Sequence, residues 1–588
     1  MNRKRLFPTA FLVLFMIFSL NFIACKGGDS RGNTVIVRLS SEPERLNPLT
    51  TEDAVASQIS ANIFQYLLDY DPQTFELTPV LAKSRPTVST VDTGKYKGNV
   101  AYAYEIREEA KWDNGKPVTA QDYIFTVKTI FNKYAGASNL RTTVDFISDI
   151  VADPQNPRKF TIYSNQKYIL AEIKSATIAI LPEYVYDTEG VMQKFSISDL
   201  KKISKDTTIK ADENLKKFAT TFQSTRFQRE KEGVVGSGAY NLDSWTTGQN
   251  IVLKKKKDWW GDKLTAQNPI FTALPEQISY KPVKDNAAAL SMMKNGELDA
   301  MINIPPKDFN ALKKDEKMAA QYNLVAVPAL STVYIGLNCK SPKLDDKRIR
   351  RALAHLFDVP TIIKTLAGGF GEPCPSPFIP QRDYFDKSLK VIDLNIEKSK
   401  TLLAEAGWKD TNGDSIVDKK INGKTTEMTL RYIFASANEA AKNMGLMAQE
   451  NGKKIGIKIN LEPLEAKIML DNMKKRDFDM FVNAAGFEPN IDDPKEIWAT
   501  SSNTPDGGNR SQFENKQADA LINQIRSELD HDKRNALYKQ FQALIYEEQP
   551  AIFLFARQER IGLNKRFDAP VIALRPGFSA RTFKLKAN

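Results

Sequence analysis

Histidine and cysteine are scarce in this chain: two of the first and three of the second among 588 residues. His355 and His531 lie far apart, and no Cys-x-x-Cys accompanies them, so a protein-built zinc site has no ligand set to draw on. With so few histidines, no nucleophile–base constellation is legible either, which sets hydrolytic chemistry aside. Charge is not concentrated in one sign. The formal net charge is +12, but Arg3, Lys4 and Arg5 fall in a segment expected to be removed. Elsewhere the signs mix, as in Asp345-Asp346-Lys347-Arg348, and read as a solvated face rather than a nucleic-acid surface. One string, Asp410-Thr411-Asn412-Gly413-Asp414-Ser415, echoes a calcium loop. Its sixth residue is Ser415 and its twelfth Ile421, where such a loop needs Gly and Glu, so it reads as a polar turn.

What is present starts at the N-terminus. The three basic residues precede an apolar stretch from Leu6 to Phe22, too short and too one-sidedly flanked for a membrane span and suited to an export signal. Ala24-Cys25 then resembles a bacterial lipobox, with Cys25 as the acylated residue, although Phe22 stands where Leu is usual. Residues 1–24 are therefore read as a lipoprotein signal peptide and 25–33, rich in Gly and charge, as a tether. An uncleaved anchor helix is the alternative. Cys339 and Cys374 would meet an oxidising compartment; a disulfide between them and two separate thiols are both open.

The chain is too long for one core, so two or three lobes are expected. Short apolar runs such as Val35-Ile36-Val37, Ile251-Val252-Leu253, Val333-Tyr334-Ile335 and Ile552-Phe553-Leu554-Phe555 read as strands. Ile455, Ile457, Ile459 and Leu461 alternate with polar residues or glycine, a period of two. Helical stripes lie between. Ile349, Ala352, Leu353 and Leu356 form one, capped by Asp345 or Asp346; Ala518, Leu521, Ile522, Ile525 and Leu529 form another; Leu402, Leu403 and Ala406 form a third, stopped by Gly407. The alternation implies an α/β architecture. Residues 198–232 are charged and poor in apolar periodicity and read as a surface excursion.

Several blocks recur in a familiar order. They include Ser41-Glu42-Pro43-Glu44-Arg45-Leu46-Asn47-Pro48, Tyr70-Asp71-Pro72, Trp112-Asp113-Asn114-Gly115-Lys116-Pro117-Val118-Thr119-Ala120-Gln121-Asp122, Gly236-Ser237-Gly238-Ala239-Tyr240, Asn295-Gly296-Glu297-Leu298-Asp299, Leu402-Leu403-Ala404-Glu405-Ala406-Gly407-Trp408, Phe478-Asp479-Met480 and Asp493-Pro494. Together they resemble the oligopeptide- and dipeptide-binding family of ABC-transporter receptors, over about residues 40 to 555. Locally these blocks are scaffold: Asn114-Gly115 makes a tight turn, and Thr119 with Asp122 a near capping box.

The resemblance implies a two-lobed periplasmic-binding-protein fold of type II with an inserted subdomain. Lobe I is placed at 34–75, 231–330 and 548–588, the insertion at 76–230 and lobe II at 331–547. It implies a peptide held through its main chain as an added strand, delivery to an ABC permease, and a monomer on a bacterial membrane, with no cofactor. The implied contacts are Glu52, Asp53 and Ala54 after the opening loop, Asn303, Tyr334 on the entering hinge strand, and Gly486, Phe487, Glu488 and Asn490 on the opposite wall. Peptide-binding relatives commonly carry Asp at the position of Asn490, pairing with the ligand's α-amino group. Here Glu488 or Asp492 takes that role, or the ligand lacks a free amine there, or it binds in another register. A sugar, haem or nickel chelate as ligand and a surface adhesin or sensor are the alternative functions.

Overall fold

Two long strands carry the architecture of the computed structural model, which describes residues 31–51, 53–206, 212–505 and 507–587. The expected signal peptide, Cys25 and Glu52 lie outside the described residues. Tyr322–Leu337 and Ala551–Asn564 run antiparallel at the centre of the main sheet. On one side follow Ala300–Met301, Thr34–Leu39, Gln277–Pro282, Asn250–Lys255 and Tyr240–Thr246. On the other follow Met480–Gly486, Thr429–Ala435 and Lys458–Leu464. Each long strand thus serves both lobes, pairing one end with lobe I and the other with lobe II.

The crossing point is irregular. Pairing runs from Tyr322↔Asn564 to Pro328↔Gln558 and resumes at Thr332↔Ala556, so Ala329, Leu330 and Ser331 face a single residue, Arg557. Leu330 holds a φ of +46°, strained for a branched side chain. A bulge here bends the strands where the lobes meet.

A second, four-stranded sheet lies within the segment expected as an insertion, in the order Thr87–Thr90, Val100–Glu105, Lys159–Ser164, Ile147–Ala152. The helix Ala120–Phe131 covers it, with Tyr123 packed on Phe160 at 5.0 Å. Its N-terminus is a full capping box: Asp122 accepts the Thr119 N–H at 2.9 Å. The hairpin Leu68–Tyr70/Leu77–Pro79 enters this subdomain, so the division placed between residues 75 and 76 falls inside a hairpin. A second core cluster includes Ile335, Leu353, Tyr432, Phe434 and Met480, with Ile552, Leu554 and Phe555 of the second long strand. Burying each such side chain contributes about 1.5–3 kcal/mol.

Several local expectations meet their structure here. Asp346, not Asp345, caps Lys347–Ala354, accepting the Arg348 N–H at 2.8 Å. Gly407 ends Ile396–Glu405 with a φ of +83°. Asp410 accepts the N–H groups of Gly413 and Ser415, as a polar turn requires. Gly236 is required by proximity rather than by φ: a Cβ there would stand 2.2 Å from the Ile63 carbonyl oxygen.

Two expectations are corrected. Residues 198–232 are not an irregular excursion. Helices Ile197–Lys205, Glu213–Phe222 and Thr225–Arg229 fill most of the described part, and Leu200, Leu215, Phe218, Phe222 and Phe227 are buried. Lysines between these residues mask a stripe of period three to four. Leu529 does not join the stripe of Ala518, Leu521, Ile522 and Ile525. That helix ends at Ser527 and leaves Leu529 47% exposed.

Cys339 and Cys374 are free thiols. The Cys339 N–H bonds the Ser511 carbonyl, while that of Cys374 bonds Leu554. Each thiol donates to nearby carbonyls, Cys339 to Leu337 and Cys374 to Phe378. Tethered to different segments, the two sulfurs have separate environments; burial pushes the Cys339 thiol up to about 11 and the Cys374 thiol to about 12. Among the described residues no helix is long and apolar enough to cross a membrane.

Candidate functional site

The loop that leaves Met480–Gly486 is the most structured element of the cleft. Gly486 pairs with Ser331 in the hinge bulge, and the Phe487 N–H donates to the Leu330 carbonyl at 2.9 Å. Gly486 is exposed, and no atom lies within 4 Å of where a Cβ would stand. This part of the sheet therefore faces open space.

Below Gly486 the loop is fixed from behind. Arg382, 4% exposed, grips Asp492, 6% exposed, with two parallel bonds of 2.7 and 2.9 Å. The same guanidinium donates to the carbonyls of Pro489, at 2.6 Å, and Glu488. The Tyr384 hydroxyl adds 2.6 Å to the same carboxylate, and the Tyr538 hydroxyl bonds the Asp492 carbonyl. Tyr384 and Tyr538 stack at 3.9 Å. Burial pushes the Tyr384 hydroxyl far above its usual range, and the Asp492 carboxylate pushes it further. A buried ion pair tolerates desolvation only when its remaining bonding capacity is filled, as it is here.

The facing wall reaches this loop at three points. The Asn490 amide donates to the Phe75 carbonyl at 3.0 Å. Phe75 ends a turn in which Asp71 accepts the N–H groups of Gln73 and Thr74, and its own φ is +63°. Lys174, on the helix Ala171–Ala176 of the inserted subdomain, pairs with Glu488. Tyr168 donates to Asp493 at 3.2 Å, and the Ile169 N–H donates to the Arg526 carbonyl at 2.9 Å. These contacts bridge the two sides of the cleft.

Beyond Asn490 the cleft widens into a cavity of about 550 Å³ between the inserted subdomain and lobe II. That is the size of a small-ligand pocket, for which about 300–1,000 Å³ is usual. Phe75, Arg85, Tyr102, Glu172, Asn490 and Leu529 are among its lining.

The residues expected as contacts divide accordingly. Gly486, Phe487, Glu488 and Asn490 share one loop against the facing wall. Asp53 is occupied otherwise: it caps Ala54–Ser60, accepting the Val55 N–H at 2.8 Å. Ala54 opens that helix and is exposed, and the Thr51 N–H bonds the Asn47 carbonyl at 3.2 Å. Asn303 is half-buried with a φ of +58° beside the Ile304–Arg560 backbone bond. Tyr334 is buried; its hydroxyl accepts from Asn483 at 3.3 Å, and burial pushes it up to about 12. Neither of the carboxylates offered in place of Asn490 is idle. Both oxygens of Asp492 are taken by Arg382 and Tyr384, and Glu488 is taken by Lys174. Phe75, Lys174, Arg382 and Tyr384 escaped sequence reasoning. Each acts through a partner more than a hundred residues away, which no local pattern encodes.

Crossing strands, two lobes and a loop-lined cleft between them define a ligand-binding receptor of the type II periplasmic-binding-protein fold. Residues 76–508 match the bacterial extracellular solute-binding proteins, family 5 Middle. The chain belongs to that family, whose members are transport receptors rather than enzymes. It is 26% identical to the oligopeptide-binding protein AppA of Bacillus subtilis, over 96% of each chain. It is 23% identical to the periplasmic oligopeptide-binding protein OppA of Salmonella typhimurium, over 86% of this chain and 83% of that protein. The structure of Bacillus subtilis AppA in complex with a nonapeptide superposes with a TM-score of 0.68 at 23% identity, covering 94% of this chain and 99% of that one. NikA from Brucella suis in complex with Fe(III)-EDTA gives 0.72 at 19% identity, covering 94% and 100%.

Proposed function

We propose that this protein captures peptides between its two lobes and presents them, closed, to an ABC permease. The observation that carries the reading is the open space at Gly486 beside a loop locked by Arg382 and Asp492. Such a wall offers main-chain groups in a fixed register, which suits ligands of varied sequence. Gly486, Phe487, Glu488 and Asn490 are the proposed contacts on lobe II, with Asn303 and Tyr334 at the hinge. The lobe division given above and an exported, monomeric form anchored through acylated Cys25 belong to the same proposal. Closure is driven by a ligand that touches both walls, since one that binds open and closed forms equally shifts nothing.

A second reading, a non-peptide ligand, is favoured by Asn490, which carries no charge for an amine. Native mass spectrometry of the protein lacking its first 30 or so residues, followed by release of what copurifies, tests both. A ladder of short peptides is expected. A single sugar, haem or metal chelate would replace the peptide reading with the second.

A further inference from the structure

We infer that Glu76 receives the free α-amino group of the bound molecule, a role that the uncharged Asn490 leaves open; the inference rests on the peptide reading above. Glu76 lines the cavity beyond Asn490 and is exposed. It follows Phe75, whose carbonyl takes the Asn490 amide, so it stands across the cleft from the position that lacks a charge. Its backbone is fixed: the N–H donates to Thr74 Oγ1 at 3.3 Å, and the carbonyl accepts from the Asp71 N–H at 2.8 Å. Its carboxylate, by contrast, has no hydrogen bond or ion pair among the described residues. The other carboxylates of the cavity and its mouth are held. Glu172 takes two bonds from Arg85, at 2.7 and 2.8 Å. Asp383 is bridged by His531 at 2.6 Å and Asn535 at 2.9 Å. Glu488 holds Lys174, and Asp492 holds Arg382.

An ammonium carries three donors and no acceptor, and it bonds a carboxylate roughly twice as strongly as a neutral amide oxygen. Arg85 acts on Glu76 only through space and does not occupy it. Arg534 is the lining's other charge without an ion pair among the described residues. It stands on the lobe II helix His531–Glu548 and donates to the carbonyls of Glu528 and Leu529. The cavity thus sorts charge by wall: a cation belongs on the Glu76 side and an anion on the Arg534 side. Every peptide with a free N-terminus has one ammonium at the end of its main chain, whatever its sequence. A peptide held by the loop Gly486 to Asn490 and ending at Glu76 touches both walls, which is what ligand-driven closure requires.

The test uses two randomised pools of short peptides that differ only at the N-terminus, free in one and acetylated in the other. Equal amounts of both are mixed with the protein, and bound peptides are read by native mass spectrometry. The native protein is expected to favour the free pool by about tenfold or more, the worth of one charge-assisted bond. Glu76→Gln keeps the side chain's size at an exposed position and removes its charge. It is expected to bring the two pools within about twofold of each other. Its capture of acetylated peptides should match that of the native protein, which also shows that the variant is folded. Equal or greater capture of the acetylated pool by the native protein overturns the inference and leaves peptide capture standing. So does a preference for free N-termini that survives Glu76→Gln undiminished. Capture of neither pool overturns the peptide reading and the inference with it.

Discussion

The two walls of the cleft are built on different principles. The lobe II wall is a loop clamped by a buried ion pair, two stacked tyrosines and bonds to its own carbonyls. The facing wall offers a turn at positive φ and a half-buried lysine on the short helix Ala171–Ala176. One wall is held by buried bonds within its own lobe; the other meets it through a few contacts across the cleft. The difference teaches that, under the proposed function, the buried bonds are concentrated on the wall proposed to set a ligand's register.

The largest effect should come from the clamp. Arg382→Leu leaves Asp492 buried without its counter-charge and should cost about 3–5 kcal/mol in urea unfolding. The double variant Arg382→Leu/Asp492→Leu should recover part of that loss, because the two sites are coupled. A strictly additive double variant would mean that the clamp is not a unit. Next comes Gly486→Trp. Open space around Gly486 lets the fold accept the ring, but the cleft narrows, so peptide affinity should fall at least tenfold, about 1.4 kcal/mol, with unfolding unchanged. Unaltered affinity by calorimetry would place the ligand elsewhere.

Lys174→Ala removes a partly exposed ion pair between the lobes. It should alter stability by no more than about 1 kcal/mol. It should nonetheless shift the unliganded protein toward the open form, seen as a larger radius of gyration in small-angle scattering. No change in radius would assign closure to the Asn490 and Tyr168 contacts instead.

The smallest effect is titration of the two histidines. His531 is exposed, and its bond to Asp532, with Asp383 alongside, raises its pKa. Its contribution to stability is complete below the unfolded value of about 6.5 and is lost as pH rises through the raised value. His355 is buried, which lowers its pKa despite the Asp393 carbonyl at 2.7 Å from Nδ1. Its contribution is present above about 6.5 and is lost as pH falls through the lowered value. NMR should therefore find the two ring signals titrating on opposite sides of that value.

The sequence by itself determined the class of fold and much of its local detail. Turn glycines, the Thr119–Asp122 box, a cap at Asp345 or Asp346 and the stop at Gly407 follow from backbone preferences and bonds within a few residues, all of which are legible in order along the chain. So was the loop from Gly486 to Asn490 as a candidate wall. Only the tertiary structure decided how that wall is used. It gave Asp492 to Arg382, 110 residues away, and Asn490 to Phe75, 415 residues away. It left Leu529 outside its helix, facing a cavity, and kept Cys339 apart from Cys374. Short-range terms fix caps and turns wherever they occur. Which carboxylate is free and which apolar residue stays wet depends on distances across the fold, and those exist only once the lobes have packed.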